Sequence, residues 1–310
     1  MFRCHLFPSR NSNFFYLICM KFEIEKSEVL QDIPSASGIV SMGGRYYVVG
    51  DDSPFLFCLD PQLQLLSKTK IFSAEHVKGD RITKKHKPDF EAMEKINERE
   101  IAIFGSGSKS PARDYFVRVL VKEELVVETY SISGFYRHLK SLDIFSDSEL
   151  NIEAAAAYRG QLFLFNRRKN LVISFNYEEF LEHVINGGQL PEIRIREVLL
   201  PKINDIEAGF SGATAFQMRP VLIFTASVED TDNAYDDGEV LGSFIGLLDI
   251  TSGEILHKPH SIESPDENHG MLKVESVAIE KVISDREYKL LLTTDSDGGD
   301  SLLLRATLRL

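Results

Sequence analysis

The sequence has no tryptophan, only three cysteines and no long apolar run. Cys4, Cys19 and Cys58 show no CxxC or CxxH spacing, so we predict neither a disulfide framework nor a zinc site, and a reducing compartment fits best. No apolar run approaches the roughly 20 residues that a membrane-spanning helix needs. We therefore expect a cytoplasmic protein that has no membrane partner.

Positive charge is also scarce. Among 310 residues, 35 Lys and Arg face 47 Asp and Glu, which gives a formal net charge of −12. Because phosphate binding needs clustered basic residues, we expect no nucleic-acid partner. The composition is 43% hydrophobic and 26% charged, which excludes wholesale disorder. Numerous Gly, Pro, Phe and Tyr residues favour a strand-and-turn protein over a helical bundle.

Common catalytic and cofactor motifs are missing as well. The segment Gly209-Phe-Ser-Gly-Ala213 departs from GxSxG at its last position, and Gly105-Ser-Gly-Ser-Lys109 lacks the spacing and the following helix of a P-loop. The sequence also has no HExxH motif. We therefore predict no nucleotide or organic cofactor, and the sequence leaves the catalytic residues unidentified.

The first 19 residues form a poor signal peptide. Their apolar stretch runs only from Phe14 to Cys19, and no small-residue cleavage site follows it. We interpret residues 1–19 as a disordered extension or an upstream start-site artefact, ahead of one domain that spans residues 20–310. A degenerate export signal is the alternative.

A repeated layout dominates the rest of the chain. Residues 38–60 contain short apolar runs that flank turn residues, which predicts three successive antiparallel strands. Similar units begin near Glu91, Glu153, Glu207 and Glu275, at intervals of 53, 62, 54 and 68 residues from Gly38 onward. Such a period is typical of β-propeller blades. We predict an all-β fold, a single β-propeller with five blades favoured over six.

The N-terminal strand and the few helical segments complete this prediction. We expect residues 22–29 to supply the outer strand of the last blade and so to close the ring. The pattern predicts a short helix over residues 177–185, ended by Gly187 and Gly188, and a second one near residues 134–142. We interpret both as decorations of the blades. The charged segments 75–88 and 229–239 are interpreted as solvated surface loops.

Four of the repeats carry a glutamate that we place at the start of an innermost strand, where propeller positions converge on the axis. They are Glu91, Glu153, Glu207 and Glu275. Converging carboxylates repel one another unless a cation compensates them, and a hard divalent cation, most simply calcium, would do so. We predict Asp52 and Asp89 as further ligands. Alternatively, these carboxylates are struts that accept hydrogen bonds from the neighbouring blade.

Basic residues near the same positions suggest a second use of the channel. Lys87 and His86 closely precede Asp89, and Arg167 lies in the turn after an inner strand. Together with His269, they could bind a phosphate or carboxylate group of a small ligand at the mouth of the channel. As solvated turn residues they would need no such role.

The repeats also carry a family resemblance. The residues are Val49-Gly-Asp-Asp-Ser53, Asp89-Phe-Glu-Ala-Met93, Asn151-Ile-Glu-Ala-Ala155, Asp205-Ile-Glu-Ala-Gly209 and Val274-Glu-Ser-Val-Ala278. Over residues 35–310 the chain resembles uncharacterised bacterial propellers grouped with the "esterase-like activity of phytase" families, and DUF6929 is the nearest family. The resemblance implies a propeller with acidic residues facing its channel. It extends more distantly to calcium-dependent phytase-like propellers.

Two functions remain open from the sequence. The first is a divalent-cation-dependent hydrolase that acts on ester or phosphoester bonds at the channel mouth. The second is a noncatalytic propeller that binds a small molecule or a protein, with its channel carboxylates serving as struts between blades. Because propellers host both classes, the fold alone does not decide between them.

Overall fold

The computed structural model describes residues 20–33, 35–230, 238–264, 271–295 and 301–310. Residues 1–19 and His269 lie outside this part of the chain. In chain order the strands are β1 (Lys21–Val29), β2 (Ala36–Met42), β3 (Arg45–Gly50), β4 (Phe55–Leu59), β5 (Leu65–Lys70), β6 (Val77–Lys78), β7 (Arg81–Ile82), β8 (Phe90–Asn97), β9 (Glu100–Gly105), β10 (Tyr115–Val121), β11 (Leu125–Ser131), β12 (Ile152–Tyr158), β13 (Gln161–Asn166), β14 (Leu171–Asn176), β15 (Arg194–Glu197), β16 (Lys202–Ile203), β17 (Ile206–Glu207), β18 (Gly209–Ala215), β19 (Val221–Asp230), β20 (Glu239–Asp249), β21 (His260–Ile262), β22 (Lys273–Ser284), β23 (Glu287–Asp295) and β24 (Leu302–Arg309). The helices are α1 (Ser133–Lys140) and α2 (Tyr177–Asn186), with a 3₁₀ turn at Asp143–Phe145. None of the helices within these ranges has the length and apolar character to cross a bilayer.

The strands form five four-stranded antiparallel sheets, which are the blades of a propeller. Blade 1 is β2-β3-β4-β5, blade 2 is β8-β9-β10-β11, blade 3 is β12-β13-β14-β15, blade 4 is β18-β19-β20-β21 and blade 5 is β22-β23-β24-β1. Two small hairpins, β6–β7 and β16–β17, lie in the connections that follow blades 1 and 3. The predicted five-bladed, all-β architecture is confirmed.

The first strand of each blade lies innermost, and these five strands form a closed ring. Along it, β2 contacts β8, β8 contacts β12, β12 contacts β18, β18 contacts β22, and β22 returns to β2. The predicted closure is also confirmed, because β1 pairs with β24 from Lys21 opposite Arg309 to Val29 opposite Leu302. The N-terminal strand is thus the outer strand of blade 5, and the two ends of the chain are joined in one sheet.

The hydrophobic core is divided into five clusters, one between each pair of neighbouring blades. Between blades 2 and 3, Phe135 of α1 and Phe180 of α2 pack with ring centroids 5.1 Å apart and are almost completely buried. The two helices therefore fill the wedge between these blades. Our interpretation of them as decorations was wrong, because their apolar faces are needed to complete this core.

The predicted bounds of α2 hold closely. The side chain of Asn176 caps its N-terminus by accepting a hydrogen bond from the backbone N–H of Glu179. Gly187 ends the helix in the left-handed conformation, with φ of 70°. The chain then turns back toward β15, so α2 stays against the side of blade 3.

Every innermost strand contains a β-bulge next to its start. The extra residues are Ser37, Glu91, Glu153, Ser211 and Glu275. A bulge breaks the alternation of the strand and re-aims one side chain. Since it recurs at one place in all five blades, it brings five side chains toward the same end of the propeller axis.

Candidate functional site

A cavity of about 500 Å³ lies at this end of the axis. This volume is in the usual range for small-molecule sites. The cavity is lined by Ser35, Ala36, Ser37, Asp51, Asp52, Arg81, Lys84, Lys87, Asp89, Glu91, Arg113, Asn151, Glu153, Arg167, Arg168, Asn170, Ile206, Glu207, Ala208, Gly209, Ser227, Glu229, Lys273, Glu275 and Asp295. Nine of these are carboxylates and seven are lysine or arginine, so the formal charge of the lining is −2.

Three equivalent positions in each blade build most of this lining. The first two lie on the innermost strand and are the residue two before the bulge and the bulge residue itself. The third lies near the end of the second strand, one residue beyond the residue that pairs with the position just before the bulge. In blade order these sets are Ser35, Ser37 and Asp51; Asp89, Glu91 and Ser106; Asn151, Glu153 and Arg167; Gly209, Ser211 and Ser227; Lys273, Glu275 and Asp295. All except Ser106 and Ser211 line the cavity. The repeat thus determines which backbone positions line the cavity, and each blade places a different set of side chains at these positions.

The predicted equivalence of Glu207 with the other three glutamates is wrong. In blade 4 the innermost strand starts at Gly209 and its bulge residue is Ser211, because the sequence around Glu207 forms the additional hairpin β16–β17. Glu207 still lines the cavity. Its Oε1 accepts hydrogen bonds from the backbone N–H of Leu200 at 3.1 Å and from Nδ2 of Asn170 at 3.3 Å, as a strut would.

On the side of blades 1 and 2, Lys87 lies between two aspartates. Its Nζ is 2.7 Å from Oδ1 of Asp89 and also pairs with Oδ2 of Asp51. The other oxygen of Asp89 accepts hydrogen bonds from Ser106 Oγ at 2.6 Å and from the buried guanidinium of Arg113. Both lysine and arginine therefore compensate the carboxylates without any added ion.

Glu91 belongs to the same group but has less compensation. Ligand oxygens of Asp51, Asp89 and Glu91 lie within 4.8 Å of one another. Burial raises the pKa of Glu91 well above its usual value, and the nearby Asp89 and Asp51 add to this rise, whereas Lys87 opposes it. Oδ1 of Asp51 is buried and has no hydrogen-bond partner. Among the described residues, this is the group of three carboxylates whose ligand oxygens lie close enough together to hold a metal ion.

On the side of blades 3 to 5, Arg167 and Lys273 connect three glutamates. Arg167 Nη2 lies 3.2 Å from Oε2 of Glu229, and its Nη1 lies 3.6 Å from Oε2 of Glu153. Lys273 Nζ lies 2.8 Å from Oε1 of Glu229 and 3.1 Å from Oε1 of Glu275. The side chains of these two cations and three glutamates are at most 13% exposed, so little of the network is accessible to solvent.

The two glutamates that share Lys273 differ in protonation. Burial raises the pKa of Glu275 to about 8, although Lys273 opposes the shift. Burial also disfavours the charged form of Glu229, but Arg167 and Lys273 together outweigh it and hold the pKa of Glu229 below its usual value. At neutral pH one carboxyl is therefore mostly protonated while its neighbour is ionised. Such separation marks candidate acid and base groups.

The structure brings most of the predicted site residues to the cavity, but not all of them. Glu91, Glu153, Glu207, Glu275, Asp52, Asp89, Lys87 and Arg167 all line it. Asp52 accepts a hydrogen bond from Nε of Arg81 at 2.7 Å. His86 is not in the lining; its ring instead stacks on His76, with centroids 4.1 Å apart. His269 lies outside the described residues.

Neither charged loop is only a solvated surface. The segment 75–88 delivers Arg81 and Lys87 to the cavity, and the described start of the acidic segment 229–239 delivers Glu229. Our prediction for both segments was wrong in this respect. Lys87 belongs to the connection that leads into the innermost strand of blade 2, and Glu229 lies near the end of β19, two residues after the lining residue Ser227.

Sequence reasoning missed four important members of the site, namely Asp51, Arg113, Glu229 and Lys273. Two of them had a signal. Asp51 follows a predicted strand next to Asp52, and Lys273 stands two residues before Glu275, where Asp89 stands relative to Glu91. For Arg113 and Glu229 no repeated spacing exists: Arg113 lies in the loop between β9 and β10, and Glu229 lies near the end of β19, beyond the three repeated positions.

Comparison with solved structures supports the propeller fold. The chain is similar to glutaminyl cyclase of Myxococcus xanthus, with a TM-score of 0.55, 9% identity, and coverage of 94% of this chain and 98% of that chain. It also matches the PQQ-bound aldose sugar dehydrogenase of Streptomyces coelicolor, with a TM-score of 0.47, 12% identity, and coverage of 94% and 99%. At such low identity the likeness to the cyclase shows the fold alone.

Sequence comparison places the chain in a family. No curated protein matches it. The model of a family of unknown function, DUF6929, matches residues 32–308, which include every described residue of the cavity lining and all blade strands except β1 and the last residue of β24. The more distant resemblance to phytase-like propellers stays a prediction. The chain belongs to the DUF6929 family.

Proposed function

We propose that the protein is a hydrolase that binds a small polar substrate in the central cavity and uses Glu275 as its proton donor. One arrangement carries the proposal: Glu275 and Glu229 share Lys273 at 3.1 and 2.8 Å, yet burial raises the pKa of Glu275 to about 8, whereas Arg167 and Lys273 hold the pKa of Glu229 below its usual value. A carboxyl group whose pKa is near the working pH is suited to general acid–base catalysis.

The chemistry follows from this pair. As the ester or phosphoester bond breaks, the leaving oxygen takes the proton of Glu275, and water supplies the hydroxyl group to the carbonyl carbon or phosphorus. The resulting Glu275 carboxylate then takes the remaining proton of the water, which restores the acid. Arg167 and Lys273 would stabilise the negative charge that develops on the reacting group. Glu229 stays ionised and holds both cations in place.

The lining also limits the class of substrate. Among the described lining residues there is no aromatic side chain, so a nucleobase or a sugar ring would find no stacking surface. Charged groups of both signs surround the space instead. A compact ester or phosphoester with hydroxyl, carboxylate or phosphate groups fits such a lining best.

The test is a hydrolysis assay on the full chain. The probes are ethyl lactate, followed by acid release, and glycerol phosphate, followed by phosphate release. We expect a rate that falls as the pH rises through about 8, because Glu275 then loses its proton. Glu275→Gln should lose the activity, whereas Glu98→Gln, a 78% exposed control, should keep it. Turnover that is equal in Glu275→Gln would refute this role.

A second candidate adds a divalent cation, most simply calcium, held by Asp51, Asp89 and Glu91. Three carboxylate groups within 4.8 Å are the oxygen-rich donor set that hard cations prefer. The unpartnered Oδ1 of Asp51 also favours it. The ammonium of Lys87 already pairs with both aspartates, so the cation would have to take its place. When bound, such an ion would act as a Lewis acid.

Thermal melts separate these possibilities. After chelation, calcium, magnesium, manganese or zinc is added back singly. If calcium binds at this group, the melting temperature rises with its concentration, and Glu91→Gln loses the rise while Glu207→Gln keeps it. Glu91 is the better choice for substitution because Asp89 also binds Arg113 and Ser106, and its loss would weaken the fold itself.

The noncatalytic alternative has its own support. Arg113, Lys87, Arg167 and Lys273 already compensate the buried carboxylates, as struts between blades require. Under that alternative, Glu275→Gln alters stability, no probe is hydrolysed, and no metal moves the melt. The hydrolysis assay and the metal titration therefore distinguish all three functions.

A further inference from the structure

Three residues after each bulge, the innermost strands carry a fourth set of equivalent positions, which we call the ring. Its members are Val40, Glu94, Ala156, Thr214 and Ala278, all at most 6% exposed. Four of these side chains are small or apolar. Glu94 is the one member of the ring that can carry a charge.

Glu94 closes this ring by a contact across the axis. Oγ1 of Thr214 donates a hydrogen bond to Oε1 of Glu94 at 3.4 Å. Glu94 belongs to blade 2 and Thr214 to blade 4, and blade 3 separates them around the ring, so the bond spans the channel. The backbone N–H of Ala157, on blade 3, donates a second hydrogen bond to the same carboxyl group.

No cation balances Glu94 in the described part of the chain. Lys95, the one charged group that acts on it, points its Nζ to Glu98 at 2.8 Å. The facing strands β2, β12, β18 and β22 bring only Val40, Ala156, Thr214 and Ala278 to the ring. Burial raises the pKa of Glu94 well above its usual value. Burial without a paired cation thus favours the neutral form of this carboxyl group in the folded protein.

On the face of the propeller opposite the cavity, a single exposed residue separates Ala157 from solvent. Nε2 of Gln217, an exposed residue of the β18–β19 turn, donates a hydrogen bond to the carbonyl oxygen of Ala157 at 3.3 Å. Ala157 is the residue whose N–H holds Glu94. An ionised Glu94 would draw water into the ring along this route, since a buried carboxylate without a partner is very unfavourable.

We propose that Glu94 is a proton-dependent seal of the propeller channel. In its neutral form it closes the floor of the cavity, so that ligands enter from one face only. In its ionised form it opens the ring to water from the opposite face. This inference does not depend on hydrolase activity, because it concerns the floor of the cavity and not the groups that face the ligand.

The sign of the pH dependence is fixed by the burial of the acid. Between the ordinary pKa of glutamate and the raised value, the folded state keeps a proton that the unfolded state has lost, so stability falls as pH rises. Each pH unit in this window lowers the folding equilibrium constant of the wild type up to tenfold relative to Glu94→Gln. Glutamine keeps the shape and cannot ionise.

The experiment is urea unfolding of the wild type and of Glu94→Gln from about pH 5 to about pH 9, with Glu98→Gln on the same hairpin as the control. We expect the folding equilibrium constant of the wild type, divided by that of Glu94→Gln, to fall as pH rises. The same ratio taken against Glu98→Gln should stay constant. The other buried acids cancel in these ratios. A constant ratio for Glu94→Gln would overturn the proposal.

Hydrogen exchange on the wild type tests the seal even if Glu94→Gln does not fold. The protection factor of the Ala157 amide should decrease at alkaline pH, before global unfolding. The amide of Leu164, which lies in β13 of the same blade, should keep its protection. Protection of Ala157 that stays constant until the whole blade unfolds would contradict an opening of the ring.

Discussion

Arg167 lies so close to Gly209 that a methyl group added at position 209 would stand 2.4 Å from Cγ of the arginine. The arginine thus crosses from blade 3 to blade 4 over a position that has no side chain, and in this way it reaches Glu229. Gly209 does not adopt the left-handed conformation, so contact alone excludes a larger residue.

We expect Gly209→Ala to displace Arg167 and to lower the free energy of unfolding by about 1–3 kcal/mol, the usual cost of overpacking. Urea unfolding measures this change. Gly134→Ala is the matched control, since a methyl group there meets nothing within 4 Å and lies in α1, where alanine is the better helix former. It should be neutral or slightly stabilising.

A double-mutant cycle then tests the cause. If Gly209 is required because the Arg167 side chain passes over it, Gly209→Ala should lower the free energy of unfolding by only about a few tenths of a kcal/mol in an Arg167→Ala background. The side chain that conflicts with the added methyl group is absent there. An unchanged cost in that background would assign the effect to the backbone.

The fold could be predicted from the sequence because it depends on features that recur. Short apolar runs, turn residues and a period near 60 residues each identify the blades, and the unpartnered first strand predicts the closure. The helices were placed correctly for a local reason, since Asn176 and Gly187 mark the ends of α2. Their packing into the core between blades depends on distant residues, so the local pattern did not reveal it.

The site could be predicted only in part, for the same physical reason. Side chains on the bulges share a repeat position, and three of the four predicted glutamates lie there. Asp205-Ile-Glu207 resembles Asp89-Phe-Glu91 more closely than Gly209-Phe-Ser211 does, yet register depends on strand pairing and not on letter similarity. Arg113 comes from a loop, whose course the repeat does not determine, and Glu229 lies beyond the repeated positions, near the end of β19.

Lys273→Met should strongly destabilise the protein. Its ammonium lies against both Glu229 and Glu275, whose side chains are 11% and 7% exposed. Removing one member of a buried charge network typically costs about 3–5 kcal/mol. Without Lys273, Glu229 would keep only Arg167 of the two cations in this network as a partner, at 3.2 Å. Chemical denaturation measures this loss. Lys289→Met, at a 30% exposed pair with Glu25, should cost less than about 1 kcal/mol.

Arg305 should stabilise the closure of the propeller, where the N-terminal strand, blade 5 and blade 1 meet. It contacts Glu28 of the N-terminal strand at 2.8 Å, Glu280 at 2.7 Å and the hydroxyl group of Tyr46 on blade 1 at 3.0 Å. A lysine cannot reproduce this fork of donors, so Arg305→Lys should lower the free energy of unfolding by about 1–3 kcal/mol. The more exposed Arg309→Lys should leave it nearly unchanged. If Arg305→Lys and Arg309→Lys lowered the melting temperature equally, Arg305 would have no special role in the closure.

Glu275 should make the stability of the protein depend on pH in a definite direction. Its pKa rises from 4.5 to about 8 in the folded state, chiefly through burial. Between these values the folded protein keeps a proton that the unfolded chain has released, so the free energy of unfolding falls as pH rises, by at most about 1.4 kcal/mol per pH unit. Above about pH 8 both states are ionised and the fall ends. Glu275→Gln should reduce the slope of this part of the curve in urea titrations, whereas Glu98→Gln should leave it as in the wild type. A wild-type stability that rises over the same range would show that Lys273 keeps Glu275 ionised.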